Sequence, residues 1–269
     1  MKIITDNDVL KTFIPNYFTE CVGEATFFEK LYPWLLSSEE WFINEILGDF
    51  VDEIVERGDR LYQIVASGVA AHALYHAVPS LDLVLTPNGF GVINTTNVAP
   101  ASKERVDRLR SSLLKLRDNQ ISLILYSLLR NEDWRASAQG QKFASSIFMH
   151  PNDVTSGCSY DEFLNFRSSS LLIESALAVK AISPELMAAL RSVRYLSASV
   201  TQDVLINQLK TLVHSIKSGS HSVSNSLADV VQFIRSNPEE FPEWATSATA
   251  ELYAPAVFEN KKDSTGYWF

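Results

Sequence analysis

Val106, Leu109, Leu113 and Leu116 recur at alternating steps of three and four, Ile124 and Leu128 continue the row, and Gln120 takes the one missing position. That spacing draws a single apolar stripe along a helix. Pro100 and Ser102 supply its start, one with a fixed φ suited to the first turn and the other with a capping hydroxyl. A helix of about 30 residues, some 45 Å at a rise of roughly 1.5 Å per residue, follows. A rod of that length must be the spine against which the remaining elements pack.

Other helical stripes flank it. Thr5-Asp6-Asn7-Asp8 reads as a cap cluster leading into Val9, Leu10 and Phe13, and Ser37-Ser38-Glu39-Glu40 restarts a helix through Trp41, Phe42, Ile46 and Phe50. Gly48 and Gly58 are the expected interruptions. From Asp59 to Val78, Leu61, Ile64, Val65, Gly68, Val69, His72 and Tyr75 fall on one stripe, which Pro79 is expected to end. The run Ala66-Ser67-Gly68-Val69-Ala70-Ala71 leaves little side chain to hold a neighbouring helix away.

The period then changes to two. Leu81, Leu83 and Leu85 alternate with Asp82, Val84 and Thr86, and after Asn88-Gly89 the apolar residues return at Phe90, Val92 and Ile93. Asn-Gly favours the two-residue turn of a β-hairpin, so a hairpin is expected over residues 81–94 with Leu85 facing Val92 and Val84 facing Ile93. Both faces carry apolar residues. A lone two-stranded hairpin is marginal in water, so this one would pack on helices or join strands of another chain.

Periodicity fades over residues 131–157, which reads as a linker or irregular crossover. Helices resume at Ser159 and at Ser183-Pro184-Glu185, and further ones are expected over 201–217, 223–236 and 238–253. The fold class is therefore mainly α, a helical bundle with one inserted β-hairpin at 81–94. Two helical domains, 1–133 and 134–269, or one continuous domain, fit a chain of 269 residues.

Composition narrows the function classes. A net charge of −9 repels phosphate, so a contact with DNA would have to be local. Cys21 and Cys158 lie in no C-x-x-C pair and read as buried, reduced thiols. No signal-peptide pattern opens the chain, and no run of roughly 18 apolar residues predicts a membrane span.

Nothing reads as an active site, and no cofactor is expected. His72 and His76 stand one turn apart, but without the glutamate of an H-E-x-x-H motif they read as core or interface histidines. His150, His214 and His221 are isolated, no G-x-S-x-G elbow occurs, and Pro87-Asn88-Gly89-Phe90-Gly91 lacks the lysine and helix of a phosphate loop. Asp49, Asp52, Glu53 and Glu56 read as a solvated acidic face.

Two features point to partners instead. Lys103, Arg105, Arg108, Arg110, Lys115 and Arg117 face only Glu104 and Asp107, an island of positive charge that is either a solvated helix face or a site for an acidic subunit or passing DNA. The chain closes on Tyr267-Trp268-Phe269 after a polar spacer, aromatics that either fold back or anchor a neighbour.

The stretch Leu81-Asp82-Leu83-Val84-Leu85-Thr86-Pro87-Asn88-Gly89-Phe90-Gly91-Val92-Ile93, followed by Val98-Ala99-Pro100-Ala101-Ser102-Lys103-Glu104-Arg105-Val106, resembles an uncharacterised family of tailed phages and prophages of gut Bacteroidetes. The segment from Asn260 to Phe269 is similar to that family's C-terminus. The resemblance is specific over residues 61–117. It implies a non-enzymatic virion structural protein, a head–tail connector or head-completion subunit, located in the virion and in the host cytoplasm before assembly. Its implied partners are other copies of itself and portal, head or tail proteins. A ring of such subunits needs heterologous interfaces that close by rotation. The candidate interface residues are Leu83, Leu85, Asn88, Gly89 and Phe90 on the hairpin, Arg105, Arg108, Arg110 and Lys115 on the long helix, and Tyr267, Trp268 and Phe269. The alternative is a helical adaptor or regulatory protein that binds an acidic partner through residues 103–117.

Overall fold

The computed structural model describes residues 2–14, 25–81, 83–86, 89–92 and 102–254. The chain divides into two compact units, Met1–Ser168 and Ser169–Phe269. In the first, α1 (Asn7–Phe13), α2 (Phe27–Phe42), α3 (Phe50–Arg57) and α4 (Arg60–Leu81) precede α5 (Lys103–Leu128). Three short helices follow, α6 (Glu132–Ala136), α7 (Ala138–Ala144) and α8 (Pro151–Val154), and α9 (Tyr160–Leu177) runs across the division.

Local chemistry sets these boundaries. Asp6 caps α1 by accepting from the backbone N–H of Asp8 and Val9, and Thr26 and Glu29 form a reciprocal capping box at the start of α2. A π-helical turn, Ile43–Leu47, ends at Gly48, and Gly58 closes α3 in the left-handed region at φ 56°. The exposed carboxylates Asp52, Glu53 and Glu56 lie on the outer side of α3, while Val51 and Ile54 are buried beneath.

Helix α4 is the centre of the unit. Val65, Ala66, Val69, Ala70, Ala71, Ala73 and Ala77 are wholly buried, packed mainly against α2 and α5. A Cβ placed on Gly68 would lie 3.0 Å from the Phe42 ring and 3.2 Å from Gln120 Cβ, so glycine is what lets all three backbones meet there. By length and composition α4 could cross a bilayer, but 61% of its most apolar window is buried inside the protein.

The β-hairpin expected over residues 81–94, with Leu85 facing Val92 and Val84 facing Ile93, is not seen in that extent or register. Helix α4 continues through Pro79 to Leu81, because the buried Ala77 and Val78 carry its packed face onward. The strand pairing among the described residues is a four-residue ladder, Leu83–Thr86 with Gly89–Val92, in another register: Leu85 lies opposite Phe90, and Thr86 opposite Gly89. An Asn88-Gly89 turn would pair residue 87 with residue 90, and Pro87 has no N–H to give that closing pair. The fold is a helical bundle, and the inserted hairpin of the expected fold class is replaced by this short ladder.

Residues 131–157 are also not the expected linker. Trp134, Phe143, Ile147 and Phe148 are wholly buried. The Trp134 indole N–H donates to the Ile46 carbonyl at 2.9 Å. The buried Arg167 guanidinium donates to the carbonyls of Lys142, Phe143 and Phe148, so it satisfies the open C-terminal end of α7.

The second unit holds α10 (Pro184–Val193), α11 (Val200–Lys217), α12 (Val223–Ser236) and two single turns, α13 (Pro242–Ala245) and α14 (Ala248–Glu251). The last two replace the continuous helix expected over 238–253. Glu174 is wholly buried and accepts from Arg191 at 2.7 Å. The Trp244 indole donates to the Ala181 carbonyl at 2.8 Å.

Glycine substitutions separate close packing from backbone conformation. At Gly140 an added Cβ would lie 1.9 Å from the Trp134 carbonyl oxygen, whereas Gly157, at φ 73°, has open space around it. Gly140→Ala should cost about 3 kcal/mol or more and Gly157→Ala about 1 kcal/mol, measured as the change in urea midpoint.

Candidate interaction surface

Two faces of α5 divide the sequence-predicted residues. Of the expected seam, Leu113, Ile124 and Leu128 turn inward and are buried, together with Ile121 and Leu125, whereas Val106, Leu109 and Leu116 are half-buried. The opposite face is exposed throughout: Arg105, Arg108, Ser112 and Lys115 in the first half, then Asn119, Leu123 and Tyr126, with Arg130 just beyond the helix. Steps of three and four residues put them on one stripe, about 37 Å long at roughly 1.5 Å per residue. No carboxylate falls on these positions, although the exposed Glu104 and Asp107 border the first turns. Leu123 and Tyr126 are large apolar side chains left 45% and 44% exposed, and the Arg130 guanidinium lies 4.1 Å from the Tyr126 ring centroid.

The first ten residues of α5 contain no buried side chain. No ion pair joins Arg105, Arg108 or Lys115 to another described residue. Arg110 behaves differently: it is half-buried, and its guanidinium sits 4.8 Å over the Tyr75 ring, so it belongs to the packing of α5 on α4. Leu83, Leu85, Gly89 and Phe90 fall in the short ladder, while Asn88, Tyr267, Trp268 and Phe269 lie outside the described residues. Cys158 is a buried free thiol, and Cys21 is likewise outside the described residues.

A buried polar cluster lies on the other side of α5, and half of it escapes a reading of sequence. Arg117, on the inward side, is only 6% exposed; it donates to Asp118 at 2.7 and 3.0 Å and to Asp161 at 3.4 Å. It lines a cavity of about 530 Å³ with Asp161, Trp34, Trp41, His72 and His76. The facing Nε2 atoms of His72 and His76 are 3.1 Å apart, so one donates to the other. His72 Nδ1 is buried without a partner in either tautomer.

Burial is the main cause that pushes His72 down to about 3, with His76 and the Arg117 charge adding to it. His76 is lowered too, by burial first and then by Arg117 and Arg110. Both imidazoles are therefore neutral at pH 7. Among the described residues no three His, Cys, Asp or Glu side chains are arranged to hold a metal. His150, by contrast, is a satisfied core histidine: Nδ1 accepts from the Asn152 N–H at 3.0 Å, and Nε2 lies 2.8 Å from the Ser122 carbonyl.

Comparison with known proteins adds one likeness. Residues 19–144 match the model of a family of unknown function, DUF6712, a span that takes in α2 to α7. No curated protein matches the chain, and no solved structure does.

The two faces of α5 should respond differently to substitution. Reversing Arg105, Arg108 and Lys115 together to Glu should change stability by no more than about 1 kcal/mol, since exposed charges without partners contribute little. Arg117→Ala leaves Asp118 without its buried counter-ion and should cost about 3 kcal/mol, read by chemical denaturation.

The His72 shift fixes the sign of a pH effect. The unfolded chain binds the imidazole proton near pH 6.5 and the folded one only near 3, so this stability is present above pH 6.5 and is lost as pH falls toward 3. Between pH 7 and 5 the folded state should lose about 2 kcal/mol through this group. In His72→Phe the difference in unfolding free energy between the two pH values should be smaller than in the parent chain by about that amount, with the lowered His76 leaving a remainder.

Proposed function

We propose that the chain is a non-enzymatic virion structural protein, a head–tail connector or head-completion subunit, that associates with copies of itself and with portal, head or tail proteins. The observation that carries the reading is the outward face of α5, a stripe about 37 Å long without a carboxylate in a chain of net charge −9. A solvated helix face of ordinary composition mixes charges of both signs, whereas a row of one sign favours an oppositely charged partner and steers its approach. Ser102–Val106, which opens this helix, also belongs to the segment that resembles the Bacteroidetes phage family.

A second reading rests on the same cations: an adaptor or regulatory protein that binds an acidic partner through residues 103–117. It differs in location. On the first reading the chain is a stoichiometric component of particles and is found in the host cytoplasm only before assembly.

Quantitative mass spectrometry of purified particles from a host carrying the gene tests the first reading. Peptides of this chain should be present at a fixed ratio to the portal protein. Their absence from particles in a lysate that contains the chain would overturn the virion reading and leave the adaptor.

A further inference from the structure

At the C-terminal end of α5 the exposed stripe runs into a cavity of about 520 Å³. Three guanidinium groups line it, Arg57, Arg60 and Arg130, with one carboxylate, Asp59. Arg57 is engaged by Glu53 and Asp59. Arg60 and Arg130 have no carboxylate partner among the described residues, although both are exposed. The lining therefore carries a formal charge of +2, from three arginines and one aspartate, within an acidic protein.

Its other wall is apolar. Leu61 and Ile64 from α4 meet Leu123 from α5, and Tyr126 presents its ring beside the Arg130 guanidinium and accepts a hydrogen bond from it. This combination decides the class of ligand. An inorganic anion would satisfy the arginines but leave the apolar wall wet and most of the volume empty. Duplex DNA offers phosphates on a rigid cylinder and nothing to cover leucine and tyrosine side chains. A peptide segment carrying carboxylates next to a large apolar side chain satisfies both walls: forked guanidinium–carboxylate bonds on one side, burial of apolar area on the other. The volume lies within the range of sites that enclose small ligands or a few side chains.

We infer that the Arg57–Arg60–Arg130 cavity, with Leu123 and Tyr126, is a docking site for an acidic peptide segment of a partner protein that carries a large apolar residue among its carboxylates. The inference rests on reading the outer face of α5 as an interface, and it holds or fails apart from the virion assignment. The site leaves no pattern in the sequence, because its arginines come from two distant places in the chain, residues 57–60 and residue 130. The spacing that reveals Arg105 and Arg108 on one helix reveals nothing about Arg57, Arg60 and Arg130.

The test uses the full chain and a fluorescein-labelled peptide in which Asp and Glu alternate with Phe and Leu, with binding followed by fluorescence anisotropy. Saturable binding is expected, at least tenfold weaker for Arg60→Glu/Arg130→Glu and at least fivefold weaker for a peptide whose Phe and Leu are replaced by Ser. Should the double variant lose its circular dichroism spectrum, Arg60→Gln and Arg130→Gln, each changing one exposed side chain, take its place with at least a threefold loss each. Inorganic phosphate and duplex oligonucleotide serve as competitors. No saturable binding, binding unchanged by the arginine variants, or displacement by phosphate or duplex at lower concentration than by unlabelled peptide would overturn the inference.

Discussion

The contact of α4 with α2 and α5 is the constraint on which the first unit depends. A helix whose buried positions are largely alanine, valine and glycine contributes little side-chain volume, so its stabilisation has to come from close approach of backbones and from larger residues supplied by its neighbours. Phe42 and Gln120 supply them at Gly68, where an added Cβ would press on both at 3.0–3.2 Å. Because α4 is covered on more than one side, α5 can bury only one face on it. The opposite face of α5 is left outward by this geometry, and it is there that the acid-free stripe lies.

How much of this was legible in the sequence depends on whether a residue obeyed a period. The later part of the α5 seam, the caps at Asp6, Ser159 and Ser183, and the small-residue run of α4 are each local signals, and each recurs in the structure. Residues 131–157 were illegible for the opposite reason. Short helices of four to seven residues span one or two turns and cannot display a stripe, so Trp134, Phe143 and Phe148 look scattered although all three are wholly buried. The 81–94 segment shows a conflict between two local signals. Asn-Gly asks for one register, Pro87 denies that register its closing hydrogen bond, and the ladder that forms is shorter than the alternation of leucines implies.

Arg117 marks the limit of pattern reading at the site. By sequence it belongs with the other cations of residues 103–117, yet its position on the helix turns it inward, and Asp118 and Asp161 make that burial tolerable. Arg110 follows it inward onto Tyr75. The basic island is thus two sets of charges with separate roles: Arg117 and Arg110 join α5 to its neighbours, and Arg105, Arg108 and Lys115 face outward. Counting charge along the chain merges them, and only the helical phase separates them.

The same phase bears on how the outward set can act in a chain of net charge −9. At an ionic strength near 0.15 M a charge is felt over about 8 Å, much less than the length of the stripe. A partner near Arg105 and Arg108 therefore responds to those cations and not to the acidic face of α3 or to the chain's net charge. At low salt the reach grows to about 30 Å at 0.01 M, and the net negative charge then opposes an acidic partner that the local cations attract. Electrostatic recognition on this surface thus favours moderate ionic strength, and the exposed Leu123 and Tyr126 add a contribution that salt does not screen. A stripe whose ends are charged and whose later half is part apolar can in this way hold an acidic partner under conditions where charge alone would hold it weakly.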